Sequence, residues 1–216
     1  MNRLIHFAFD QFYTNFAWTY DAVASAVSFG EWQLWGRQAI PFLPRDGHIL
    51  EIAHGPGHLH LALREQGCRV AGIDLSRQMG RMAFARIWNA QHQAPALARA
   101  SAMQLPFANG SFAAAVSTFP AGFLFAKETL AEIRRVLASY GRLVIVPAAE
   151  MRGCDWVTRG VKLAYRITGQ AETSRFIELR SFFAHQGFTL FQHTCPTPRA
   201  DVTVWVLEMH CDVNAV

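Results

Sequence analysis

A chain of 216 residues with 51% hydrophobic and 17% charged residues has enough apolar side chain for one packed core and too little charge for disorder. One soluble globular domain is expected, and two independent cores are not. The 20 Lys plus Arg against 16 Asp plus Glu leave +4, but the basic residues are scattered, so no nucleic-acid footprint is implied.

Only Arg3 precedes an apolar opening stretch that Asp10 and Asn15 interrupt, which is the wrong pattern for a signal peptide. A cytoplasmic location is therefore expected. The four cysteines, Cys68, Cys154, Cys195 and Cys211, form no C-x-x-C pair and are expected to be free, buried thiols. No charge occurs between Arg99 and Lys127, yet Pro106, Asn109-Gly110 and Pro120 cut that stretch into pieces too short for a membrane span.

From Phe7 to Phe42 apolar and aromatic residues recur at helical spacing, broken near Phe29-Gly30 and ended by Pro41 and Pro44, which predicts two helices. The run His48 to Ala53 reads as a strand, Gly55-Pro56-Gly57 as a loop and Leu59 to Glu65 as a helix. The unit repeats with a strand over Arg69 to Ile73 and a helix over Ser76 to Ala90, which Ser76 can cap. Further strands are expected at Ala96 to Ala100, Phe112 to Ser117 and Arg142 to Val146, with a helix over Lys127 to Ala138. Such alternation with short links predicts a parallel sheet covered on both faces. The tail reads as helices over Trp156 to Ile167 and Ser174 to Gln186, then strands at Phe188 to Phe191 and Val202 to Met209. Those two strands are expected to form an antiparallel hairpin at the sheet edge.

Glu51-Ile52-Ala53-His54-Gly55-Pro56-Gly57-His58 places a glycine loop between a strand and a helix, where backbone N–H groups can face a ligand. Asp74 ends the second strand, where an acid can accept both hydroxyls of a ribose. Capping of the helix starting near Ser76 is its other reading, and the two roles can coexist. A dinucleotide fits less well, because His60 stands where that fingerprint has its third glycine and the acidic Glu51 would repel a pyrophosphate. Glu51 instead argues for a cationic ligand.

His54, His58 and His60 crowd this loop, but residues two apart on a helix do not share a face, so no metal is expected. His54 reads either as loop packing or as an acid or base on the substrate side. Phe12, Tyr13, Phe16, Trp18, Tyr20, Trp32 and Trp35 before the core, with Phe119, Phe123 and Phe125 after the fourth core strand, imply a mainly apolar pocket.

Six ordered motifs carry a resemblance to the class I S-adenosylmethionine-dependent methyltransferases. They are Glu51 to His58, Gly72-Ile73-Asp74-Leu75-Ser76, Ala102-Met103-Gln104-Leu105-Pro106-Phe107, Gly110-Ser111-Phe112, Leu130 to Leu137 and Gly141-Arg142-Leu143-Val144-Ile145. The chain looks most similar to the branch of quinone-biosynthesis and other small-molecule enzymes. The resemblance implies a Rossmann-like doubly wound α/β fold, with a seven-stranded, mostly parallel sheet, an antiparallel last strand and an N-terminal helical lid. It implies one domain divided into a lid (1–44), a cofactor-binding core (45–147) and a C-terminal part (148–216).

The resemblance further implies S-adenosylmethionine as cofactor, held by Tyr20, Glu51, Ala53, His54, Gly55, Gly57, His58, Asp74, Leu75, Met79, Ser101, Ala102, Met103 and Thr118. A small acceptor would meet Trp18, Phe119 and Phe123, and no catalytic residue is named. Three positions depart from the family pattern. Ala53 replaces its first glycine and is tolerated if its φ is negative; Ser101 replaces an adenine-binding Asp, and Ala113 replaces an Asp. A catalytically silent S-adenosylmethionine-binding protein is therefore the alternative, with a nicotinamide-dependent oxidoreductase disfavoured.

Overall fold

Strands that are apolar on every residue need cover on both faces, and this chain supplies it with helices between the strands. The computed structural model describes residues 28–152 and 172–210. Its strands are β1 (His48–Ile52), β2 (Arg69–Asp74), β3 (Ala96–Arg99), β4 (Phe112–Thr118), β5 (Leu137–Met151), β6 (Phe188–Pro196) and β7 (Ala200–Met209). They form one sheet in the order β3-β2-β1-β4-β5-β7-β6. Strands β1 to β5 are mutually parallel, and β7 runs antiparallel to both β5 and β6. The expected hairpin is present, with β6 at the edge and β7 inserted beside β5.

The helices are α1 (Trp32–Arg37), α2 (His58–Glu65), α3 (Arg77–Gln91), α4 (Lys127–Val136) and α5 (Glu172–His185). Ser76 caps α3 through Met79 N–H, as its type and position require. Leu50, Ile52, Leu143 and Ile145 face a core shared with Leu130, Ile133 and Phe183 from α4 and α5. Ile49, Val144 and Val146 face the opposite core, with Trp35, Leu59 and Leu63 from α1 and α2. The two-residue alternation along each strand thus fills two separate cores.

Only the second of the two N-terminal helices expected before Phe42 falls among the described residues, as α1 followed by a 3₁₀ turn over Ile40–Phe42. The break before it is a left-handed pair, Phe29 at φ 51° and Gly30 at φ 84°. Phe12, Tyr13, Phe16, Trp18 and Tyr20, the helix expected over Trp156 to Ile167, Cys154 and Cys211 lie outside the described residues. Cys68 and Cys195 are free and half-buried, so for these two the expectation of full burial fails.

Strand β5 is far longer than expected. It begins at Leu137, where the sequence predicts the end of a helix, and Tyr140 at φ 62° falls between the Phe112↔Leu137 and Ala114↔Arg142 pairs. At its other end β5 outruns its parallel neighbour. The last β4 residue, Thr118, pairs with Val146, whereas Ala148 to Met151 pair only with β7. A two-stranded arm therefore projects past the carboxyl edge of the parallel strands, closed by an ion pair between Arg152 and Asp201. Glu31 braces it from outside, accepting from Thr197 Oγ1 at 3.0 Å and from Trp35 Nε1 at 3.1 Å.

The loop after β3 is tied down by charge. Glu132 accepts from Leu105 N–H at 2.7 Å. Arg135 pairs with Glu132 and donates to the Leu105 and Phe107 carbonyls and to Asn109. The Arg135 guanidinium holds the Glu132 carboxyl below its ordinary value of 4.5. A lowered folded-state value stabilises the protein above that ordinary value, and the contribution is lost as pH falls through the folded value. Glu132→Gln should therefore cost roughly 1 kcal/mol near pH 7. In urea unfolding the gap to wild type should narrow below the ordinary value; a gap independent of pH would contradict this.

Candidate functional site

In an open parallel sheet the ligand crevice lies beyond the carboxyl ends of the strands, where the strand order reverses. Here that point falls between β1 and β4. The ladder between them ends at Glu51↔Val116, and one step further Ser117 Oγ donates to the Ile52 carbonyl at 2.9 Å. Directly past the two strands stand two non-glycine residues in the left-handed region, Ala53 at φ 57° and Phe119 at φ 49°. Backbone strain of this kind gathers at functional sites and is held by its surroundings. Phe119 N–H is held by the Val146 carbonyl at 2.7 Å, and His54 N–H by the Ile73 carbonyl at 3.1 Å.

The positive φ of Ala53 overturns the expectation of a negative one. An L-residue pays about 1–2 kcal/mol in the left-handed region, part of which glycine's extra freedom in the unfolded chain would cancel. Ala53→Gly should accordingly stabilise the fold by about 0.5–1 kcal/mol. A lower urea midpoint for the variant would show that this backbone is not strained.

The loop that follows is built from its own backbone. Gly57, at φ 82°, opens α2 with no side-chain cap, so the first N–H groups of that helix have no capping side chain beside the crevice. Gly57 N–H donates to the His54 carbonyl at 3.0 Å, and Arg86 from α3 donates to the Pro56 carbonyl. His54 is 5% exposed, and its Nδ1 lies 2.7 Å from the Gly55 carbonyl. A carbonyl only accepts, so Nδ1 carries the proton and Nε2 is left as an acceptor. Of its two expected roles, loop packing is the one this geometry supports. His58 is half-buried at the start of α2.

Glu51 is buried at 2% exposure. Asp74, at the end of β2, accepts from Gly55 N–H at 2.9 Å and from Ser76 N–H at 2.7 Å, so both sequence readings of it share one carboxylate. It caps the turn into α3 and at the same time fixes the glycine loop. Each oxygen keeps a second lone pair for a ligand. Leu75 and Met103 are 66% and 47% exposed, two large apolar side chains left in the open beside this acid and beside Ser101. Ser101 Oγ accepts from Met103 N–H at 3.2 Å, and Ala102 is half-buried. Met79 is 2% exposed, so it packs inward.

The aromatic residues do not form one wall. Phe119 stacks on Trp32 with ring centroids 4.0 Å apart and lies 6.4 Å from Trp35, on the α1 side of the sheet. Phe123 packs against the opposite core, where Phe125 lies 6.1 Å from Phe183 and 6.5 Å from Trp205. The end of β4 thus separates two aromatic groups. Gly36 on α1 is where a helix comes close to Thr118, whose Cγ2 would lie 3.8 Å from an added methyl. An open cleft of about 760 Å³ lies elsewhere, lined by His48, Arg64, Arg69 and Gln91. No expected site residue lines it. Two residues carry no obvious sequence signal as partners, His60 beside Glu51 and Arg135 beneath the β3 loop; each acts on a group far away in sequence.

A family profile described as a methyltransferase domain matches residues 50–145. The demethylmenaquinone methyltransferase of Symbiobacterium thermophilum is 30% identical over 155 residues, covering 65% of this chain and 59% of that protein. A ubiquinone/menaquinone biosynthesis C-methyltransferase of Paracoccus denitrificans is 34% identical over 139 residues, covering 61% of this chain and 55% of that one. The chain spans between 31% and 59% of the length of the curated relatives it matches. Among solved structures, magnesium protoporphyrin IX methyltransferase from Synechocystis, with bound SAH, superposes with a TM-score of 0.57 at 16% identity, covering 82% of each chain.

Proposed function

With residues 50–145 forming a domain of the class I S-adenosylmethionine-dependent methyltransferases, we propose that this chain transfers a methyl group from S-adenosylmethionine to a small apolar or aromatic acceptor. The observation that carries the reading is the grouping of Glu51, the backbone donors of the glycine loop and Asp74 in one β-α-β unit at the switch point. The donor set fits the cofactor's chemistry part by part. A buried carboxylate suits a cationic ligand, uncapped N–H groups suit a carboxylate, and a strand-end carboxylate suits vicinal hydroxyls. Exposed Leu75 and Met103 offer apolar surface to a purine ring, with Ser101 as the polar neighbour.

The sulfonium supplies a methyl that is electrophilic without help from the protein. The chain's own task is then to hold the acceptor in line and keep water out. Phe119 with Trp32, and Phe123 with Phe125, offer the apolar surfaces for this on either side of β4. Trp18 and Tyr20 are assigned to the same task by the resemblance alone. His54 is left out as a base, because its Nδ1 proton is held by the loop itself. The names of the two relatives, both in quinone methylation, favour a planar ring acceptor. Residues 1–44, 45–147 and 148–216 are read as lid, cofactor core and C-terminal part of one unit. No described helix is long and apolar enough to cross a membrane, and the protein is assigned to the cytoplasm with no nucleic-acid partner.

Calorimetric titration of the full chain tests this directly. S-adenosylhomocysteine is expected to bind and NADH is not. A labelled methyl group should then appear on phenols or hydroquinones offered as acceptors. Binding of NADH without the sulfur nucleoside would overturn the proposal, and binding without transfer to any acceptor would favour a silent binder.

A further inference from the structure

The acid that lies near the end of β1 has a buried partner. Glu51 Oε2 lies 3.1 Å from Nδ1 of His60, in the first turn of α2, and the two residues are 2% and 0% exposed. A carboxylate has no proton to give, so Nδ1 donates. The other ring nitrogen, Nε2, is buried with no hydrogen-bond partner. An orphaned lone pair costs less than an orphaned N–H on a positively charged ring. This site therefore holds the neutral imidazole, and the pair keeps the full negative charge of Glu51.

Gly72 of β2 makes room for the arrangement. It is the register partner of Glu51, and a methyl built on it would stand 3.1 Å from His60 Nδ1 and 3.1 Å from His54 Cδ2. Burying an anion on one neutral donor does not stabilise a fold; two apolar side chains of similar volume would do better. An arrangement that is costly in the empty protein becomes favourable when a cation arrives.

We propose that His60 is a positioning residue for the amino-acid end of the cofactor. It keeps Glu51 ionised and fixed near the glycine loop, so that the site selects ligands carrying an ammonium group. The inference rests on the cofactor reading above and deepens it.

The test compares two ligands on the full chain by calorimetry. S-adenosylhomocysteine carries the ammonium group, while 5′-methylthioadenosine keeps the nucleoside and thioether but has no amino acid. In His60→Gln the amide reaches toward the place of Nε2 and not of Nδ1, whereas in His60→Asn its nitrogen can take the place of Nδ1. His60→Gln should weaken S-adenosylhomocysteine by about tenfold or more and change methylthioadenosine by less than about twofold, and His60→Asn should restore most of the loss. Glu51→Gln keeps the shape without the charge and should show the same selective loss, which covers the case in which His60→Gln does not fold. Equal losses for both ligands, or unchanged S-adenosylhomocysteine affinity in His60→Gln and Glu51→Gln, would overturn the assignment and leave the cofactor reading intact. Wild type that binds neither ligand would remove both.

Discussion

Asp74→Ala is expected to lower affinity for S-adenosylhomocysteine by about a hundredfold, near the upper end for hydrogen bonds to one charged group. The size follows from what the carboxylate already does without ligand. It accepts the Gly55 and Ser76 N–H groups, so its loss removes the ligand's hydroxyl acceptor and also releases the loop. Asp74→Asn separates the two parts, since its single carbonyl oxygen can keep one backbone contact but its amide nitrogen cannot accept. An intermediate loss is expected for it in the same titration. If Ala and Asn variants bind as wild type does, the ligand does not reach the end of β2.

Gly57→Ala should do the largest damage to the fold. At φ 82° an added methyl would lie 2.7 Å from Ala83 Cβ and 2.9 Å from its Cα on α3. Ala83 is 0% exposed, and backbone cannot step aside as a flexible side-chain end can. Left-handed strain of about 1–2 kcal/mol adds to about 1–3 kcal/mol of overpacking. A loss of roughly 3–5 kcal/mol in urea unfolding is the expected sum. A loss under about 1 kcal/mol would mean that α2 and α3 move apart freely, contrary to the close packing of an interior. The same change at Gly55, where an added methyl meets nothing within 4 Å, should carry only the conformational part.

The sheet was legible because its signals are local. Apolar runs of strand length, turn residues at fixed offsets and Ser76 before a helical pattern each speak for their own segment. The glycine loop and Asp74 were legible for the same reason. What sequence could not reveal depends on a second segment. The positive φ of Ala53 is imposed by the crevice against its own preference for the right-handed region, and no neighbour in sequence announces it. The length of β5 comes from β7, a strand that follows about fifty residues later. His60 reads as a misplaced glycine until β1 and α2 are brought together, when it becomes the partner of Glu51. Phe119 and Phe123 read as one aromatic group because they are close in sequence, and β4 puts them on opposite faces.

The reversal of strand order also divides the labour of the molecule. Every group offered to the cofactor core comes from β1, β2, β3 and the loops that leave them, whereas the projecting arm and the aromatic pairs come from β4, β5, β7 and the helices beside them. Changes on one side share few partners with the other, and substitutions without shared partners combine nearly additively. A lineage could thus exchange one acceptor for another by rebuilding the arm and its aromatic neighbours, while the half that holds the methyl donor is inherited unchanged.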